Sequence, residues 1–148
     1  MYSTGSDSSI SVAIGDLNKD HRLDIVVVNN DTGSIDIFLG QYEGFLNQTN
    51  YPTGSYPYSV VVGDFNNDTR LDIVVANSGS NNVSVLLGYG NGSFAKETKY
   101  SVGTFPSSVA VGDFNNDTRL DIVVANSLSN DTSVLLGYGN GSFAQETR

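Results

Sequence analysis

Short apolar runs separated by clusters of Asp, Asn, Ser and Gly set the rhythm of this chain, and no window sustains a helical period. In the middle of the sequence Ser59 to Val62, Leu71 to Ala76 and Val83 to Leu87 are runs of strand length rich in β-branched residues. The more polar stretch from Phe94 to Tyr100, continuing toward Val102, alternates through Lys96 and Thr98 and predicts a fourth, outer strand. The two inner runs are apolar on both faces, as strands covered by two layers are. Between the runs lie an Asp/Asn loop and the turns Asn77-Ser78-Gly79-Ser80-Asn81 and Gly88-Tyr89-Gly90-Asn91-Gly92, built from residues that tolerate positive φ. The pattern predicts four short antiparallel strands per unit, the first innermost and the fourth outermost.

The unit recurs. Gly63 to Ser78 is repeated letter for letter from Gly112 to Ser127, and a looser copy runs from Gly15 to Asn29. Residues 51–99 and 100–148 align without a gap at 38 of 49 positions, and the first unit, 2–50, has the same length. Three such units and Met1 account for the 148 residues, so 1–148 reads as a single repeat domain without a linker. Four strands in about fifty residues is the size of a β-propeller blade. The expected fold class is therefore all-β: three tandem four-stranded antiparallel blades of a partial or open ring.

Propellers typically hold about four to eight blades, so three leave two apolar faces to be covered. The expected partner is the rest of a longer propeller, or a second copy that forms a homodimer of six blades. Tyr2 to Gly5 matches Tyr51 to Gly54 and Tyr100 to Gly103, which end a preceding outer strand, a pattern suited to closure by exchange of terminal strands.

Charge changes the picture next. Sixteen acidic residues face seven basic ones, a net charge of −9 that disfavours nucleic acid and anionic membrane surfaces. Nine of the sixteen acids fall in three nine-residue loops. In each, oxygen-bearing side chains stand at positions 1, 3, 5 and 9, and the main-chain carbonyl of the Arg at position 7 is available. The sets are Asp16, Asn18, Asp20, Arg22 and Asp24; Asp64, Asn66, Asp68, Arg70 and Asp72; and Asp113, Asn115, Asp117, Arg119 and Asp121. Alternate residues of a tight loop converge, and a hard cation such as Ca²⁺ takes several oxygens at once. Three close carboxylates repel unless a cation or protons neutralise them. The same residues also suit Asx-turns that tie the loop to its own amides, and both readings stand. The apolar residues at positions 2 and 8 (Leu17 and Leu23, Phe65 and Leu71, Phe114 and Leu120) are expected to anchor each loop onto its blade.

The combination Ser-Val-Val-Val-Gly-Asp-Phe-Asn-Asn-Asp-Thr-Arg-Leu-Asp-Ile-Val-Val-Ala-Asn and Val-Ser-Val-Leu-Leu-Gly-Tyr-Gly-Asn-Gly-Ser-Phe, residues 59–77 and 83–94, resembles the FG-GAP/VCBS repeat family. The resemblance implies propeller blades like those of integrin alpha chains, an extracellular setting, a role in adhesion or recognition, and calcium in the loop between the first two strands. It also implies Gly at loop position 6, where this chain has His21, Thr69 and Thr118. A β-branched residue with positive φ there is strained.

Other chemistry is sparse. With no Cys there are no disulfides or thiolate sites, and the lone His21 has no second His to organise a triad, so the chain reads as non-catalytic. No apolar stretch is long enough for a helical membrane span, and the polar start lacks a signal peptide's features, so a secretion signal would lie elsewhere. Tyr42, Tyr89 and Tyr138 sit on turns and are expected to cover neighbouring blade edges, with sugar stacking as the other reading. Phe45, Phe94 and Phe143 are expected in the inter-blade core. Asn-x-Ser/Thr at Asn30, Asn47, Asn67, Asn82, Asn91, Asn116, Asn130 and Asn140 suggests a glycosylated surface. The function expected from all of this is a calcium-stabilised scaffold for a protein or glycan ligand. The alternatives are a non-catalytic propeller within a larger secreted hydrolase or lyase, or a lectin-like propeller.

Overall fold

The apolar runs become strands β1 (Ser9–Gly15), β2 (Asp24–Asn29), β3 (Ser34–Phe38), β4 (Gly40–Gln41), β5 (Gly44–Phe45), β6 (Thr49–Pro52) and β7 (Pro57–Gly63) in a computed structural model that describes residues 2–148. They continue as β8 (Asp72–Asn77), β9 (Asn82–Leu86), β10 (Thr98–Ser101), β11 (Pro106–Gly112), β12 (Asp121–Asn126) and β13 (Asp131–Leu135), and no helix occurs among the described residues. The sheets run β1-β2-β3-β6, β7-β8-β9-β10 and β11-β12-β13, and β4 and β5 form a separate two-residue hairpin. All pairings are antiparallel, with Val60 opposite Val75, Val75 opposite Ser84 and Ser84 opposite Lys99 in the second sheet. The first strands β1, β7 and β11 lie side by side, which places them innermost as the pattern predicts.

Two differences from the expected strands stand out. The fourth strand of the second sheet starts at Thr98, because Phe94 makes only an isolated bridge to Gly88 before the chain turns outward. The third sheet has three strands, and its fourth is represented by a single bridge between Val134 and Thr147. The equivalent of β10 would start at Thr147, so only its first two positions fall within residues 1–148.

The core lies between sheets. Leu17, Val26, Val28, Ile35 and Ile37 of the first meet Val60, Ile73, Val75, Leu86 and Phe94 of the second. Phe65, Val74, Ala76, Val83 and Val85 of the second meet Val109, Ile122, Val124, Leu135 and Phe143 of the third. Successive side chains of β8 thus serve opposite junctions, which is why its sequence is apolar on both faces. Burying each such Val, Leu, Ile or Phe stabilises by about 1.5–3 kcal/mol. Tyr51 sits edge-on to Phe94 at 5.7 Å, and Tyr100 to Phe143 at 5.5 Å, so each outer strand caps the next sheet. Phe94 and Phe143 are buried as expected, and Phe45 is half-buried beneath Tyr2.

Candidate metal centre

Each acidic loop joins the first strand of a sheet to the second, and its geometry follows from side-chain oxygens capturing the loop's own amides. In the second loop Asp64 accepts from the Asp68 and Thr69 N–H groups at 3.1 and 2.8 Å, and Asn66 also accepts from Asp68 N–H at 3.2 Å. Asp68 accepts from Arg70 N–H at 2.9 Å and from the Asn66 amide at 3.0 Å. The first and third loops repeat this set: Asp16 takes Asp20 and His21, and Asp113 takes Asp117 and Thr118. Asn18 and Asn115 take the place of Asn66, and Asp20 and Asp117 accept from Arg22 and Arg119 N–H. To close so tightly the chain turns left-handed at positions 4 and 6, with φ of 58° and 66° at Asn67 and Thr69, and 61° and 66° at Asn116 and Thr118.

The position-9 aspartates do something different. Asp72 is fully buried, and its carboxylate accepts from Phe65 N–H at 2.9 Å and from Gly88 N–H at 2.8 Å. Asp24 holds Leu17 and Gly40, and Asp121 holds Phe114 and Gly137, in the same manner. Each ties the acidic loop to the turn after the third strand. The Gly at that turn is required by close approach, since a Cβ on Gly88 would lie 2.2 Å from the Leu71 carbonyl oxygen.

Electrostatics follow from this packing. Burial pushes the Asp72 carboxyl up to about 6; the Gly88 and Phe65 N–H groups oppose the rise, and Asp68 and Asp64 add to it. Asp24 is raised for the same reasons, with burial first and Asp20 and Asp16 contributing. For Asp20, burial pushes up, but the Arg22 N–H, the Asn18 amide and the Arg22 guanidinium outweigh it and hold the carboxyl low. The arginines at position 7 therefore do more than present a carbonyl: Arg22, Arg70 and Arg119 approach Asp20, Asp68 and Asp117 at 3.1, 3.6 and 3.9 Å.

The residues fit a hard cation in their chemistry. Every candidate side-chain donor is an oxygen, each carboxylate oxygen that accepts one N–H keeps a further lone pair, and the charges of Asp68 and Asp64 add to the rise at Asp72. Among the described residues no three His or acidic side chains already stand close enough to form a metal cluster.

Left-handed Thr69 and Thr118 carry a local cost of about 1–2 kcal/mol that glycine avoids, partly offset by glycine's greater unfolded-state freedom. Thr69→Gly and Thr118→Gly are each expected to stabilise the metal-free protein by about 0.5–1 kcal/mol. The check is the urea midpoint in the presence of EDTA.

The remaining candidates separate clearly. His21 is exposed, with Nδ1 4.0 Å from Asp16. Tyr89, Tyr138 and Tyr42 are 56%, 55% and 93% exposed and do not cover blade edges. The turns that carry Tyr89 and Tyr138 dock through backbone, Gly92 N–H to Leu17 O and Gly141 N–H to Phe65 O. Asn47, Asn67, Asn91, Asn116, Asn130 and Asn140 are exposed, whereas Asn30 and Asn82 are partly buried and hydrogen-bonded. Sequence reasoning missed a shallow cleft lined by Asn30, Tyr56, Tyr58, Ser78, Gly79 and Phe105. The aromatic-Pro pairs Tyr56-Pro57 and Phe105-Pro106, at one unit position, were its available signal.

No curated protein matches the chain. Among solved structures, a crystal structure of BBS1N in complex with ARL6DN, soaked with lead, is similar at 14% identity with a TM-score of 0.38. The match covers 95% of this chain and 57% of that chain, so the protein spans little more than half of that relative's length. A family model described as FG-GAP-like repeat matches residues 16–75 and again 64–124. Each window begins at the first aspartate of one acidic loop and runs through the next loop into the strand beyond it, so the match follows the repeat that builds the sheets. The chain belongs to the FG-GAP-like repeat family.

Proposed function

We propose that this β-propeller repeat module works as a non-catalytic, extracellular binding or adhesion scaffold whose acidic loops take Ca²⁺. The observation that carries the reading is the threefold recurrence of one loop geometry, in which Asp and Asn oxygens at positions 1, 3 and 5 close the loop on its own amides and the position-9 aspartate ties it to the sheet. The donors would be Asp16, Asn18, Asp20 and Asp24, Asp64, Asn66, Asp68 and Asp72, and Asp113, Asn115, Asp117 and Asp121. The Arg22, Arg70 and Arg119 carbonyls would join them. The cation would neutralise the carboxylates and hold each loop against its sheet. Three like loops suit a repeated structural device better than one specialised active centre, and fold alone assigns no reaction.

The test is thermal unfolding with and without calcium. A ligand bound by the folded state alone stabilises by about 2.7 kcal/mol per site at a hundredfold excess over Kd. Millimolar Ca²⁺ is expected to raise Tm and EDTA to lower it, with Asp64→Asn and Asp113→Asn shrinking the difference. Equal Tm values in both, with no heat of binding by calorimetry, would leave these loops as Asx-turns. The outward rings of Tyr42, Tyr89 and Tyr138 favour glycan binding as a second reading, and a glycan array read against Tyr89→Ala and Tyr138→Ala separates it from the first.

A further inference from the structure

The two internal junctions define what each face of a sheet packs against, and both halves of such a junction are exposed at the ends of this one chain. On the rear face Val60 and Val109 are each 5% exposed, covered by the preceding sheet, while the equivalent Val12 is 60% exposed. Leu71 and Leu120 pack into the two junctions, whereas the equivalent Leu23 is 62% exposed. On the front face Leu17 and Phe65 are 1% and 2% exposed, whereas Phe114 is 52% exposed. Large apolar side chains left uncovered at junction positions are the kind of surface that marks an interface.

We propose that the front face of the third sheet packs on the rear face of the first sheet of a second copy, head to tail, and that two such junctions close a dimer. This goes beyond the scaffold reading and does not depend on calcium. A second copy is the occupant because the complementary residues of an internal junction, Phe65 and Leu120, recur as Phe114 and Leu23 on opposite ends of the same chain. Heterologous contacts close when their rotation permits, and two copies give six sheets, within the span of about four to eight that propellers use.

Tyr2 supplies the second observation. It stands edge-on to Phe45 at 5.5 Å and its hydroxyl accepts from Phe45 N–H at 2.8 Å. Tyr51 likewise stands edge-on to Phe94 at 5.7 Å and accepts from Phe94 N–H at 3.2 Å. Tyr51 belongs to the outer strand of the preceding sheet, so Tyr2 occupies the place of an outer-strand residue of a sheet in front of the first. In the second sheet Thr98, Lys99, Tyr100 and Ser101 pair with Val85, Ser84, Val83 and Asn82, and in the third Thr147 pairs with Val134. The same register places Tyr2 and Ser3 of the second copy opposite Thr132 and Asp131.

Sedimentation equilibrium over a wide concentration range, with far-ultraviolet circular dichroism to verify folding, tests the proposal. The expected result is a species of twice the 15.7 kDa chain mass. Leu23→Asp and Phe114→Asp, both at exposed positions of the single chain, are each expected to be folded monomers. Mixing them is expected to restore a dimer through the one junction left intact. Tyr2→Ala is expected to raise the dimer dissociation constant by about tenfold, equivalent to about 1.4 kcal/mol. A wild-type monomer at every concentration overturns the proposal, as does a ladder of ever-larger species. A Phe114→Asp variant that still dimerises by itself overturns it too, since that would mean like faces pair.

Discussion

Replacing Asp72 with alanine is expected to destabilise the protein by about 2–5 kcal/mol, because it leaves the buried Phe65 and Gly88 N–H groups without an acceptor. Asp72→Asn should cost nearly as much: an amide offers one oxygen where two N–H donors converge, and turns its own NH₂ toward the other. Asp64→Ala, at a partly exposed loop position, should cost about 1 kcal/mol, the ordinary value of a hydrogen bond at the surface. Urea unfolding in EDTA measures all three. The same carboxyl sets a pH dependence. Its folded pKa of about 6 lies above the ordinary 3.8, so the folded state holds the proton more tightly than the unfolded chain. Its contribution is full below pH 3.8 and is lost as pH rises through about 6. The urea midpoint of the metal-free wild type, taken relative to that of Asp72→Asn, should therefore fall between pH 4 and pH 7. A difference that is flat, or that rises, would mean that the two N–H groups outweigh burial.

The second large effect is Phe65→Ala, expected to cost about 3–5 kcal/mol. Phe65 is 2% exposed, fills the junction between the second and third sheets, and meets Phe143 at 5.7 Å. Phe114→Ala, at the same repeat position with 52% of its surface exposed, should change the stability of the dilute single chain by less than about 0.5 kcal/mol. Denaturant titration at low protein concentration compares the two, and equal effects would mean that the two sheet faces are equally covered in the single chain.

Much of the fold was legible because short-range signals agreed. The first three strands of the second unit lie within two residues of their predicted limits, since β-branched runs bounded by Asn, Asp and Gly leave little choice. The fourth starts at Thr98, later than the strand-like Phe94 and Ala95 predict, because Phe94 is buried in the junction rather than paired along a ladder. In the acidic loops the alternating spacing marks the side chains at positions 1, 3 and 5 that accept the loop's own amides, and the left-handed bend at position 6 occurs despite His21, Thr69 and Thr118. Two features were not legible. Nothing in the spacing separates Asp72, which binds amides in the core, from Asp64, which closes the loop, since the Gly88 partner lies sixteen residues away. Nor does a turn tyrosine announce its exposure; Tyr89 and Tyr138 stay more than half exposed although their turns dock on the preceding sheet through Gly92 and Gly141.

The sharpest division comes from the segment that occurs twice. Gly63 to Ser78 and Gly112 to Ser127 are identical, and both form the same loop, with φ of 66° at Thr69 and Thr118 and the same pair of amides on Asp72 and Asp121. Both also enter the same register, Val60 opposite Val75 and Val109 opposite Val124. Sequence by itself determined these features, because they depend on torsions and hydrogen bonds within one unit. Tertiary structure alone decided which copy is core. Every residue of β8 is buried, whereas β12 leaves Ala125 exposed and Val123 partly so. A side chain is removed from water by its neighbour, and identical residues acquire different energies when one copy has a sheet on either side and the other has a sheet on one side only.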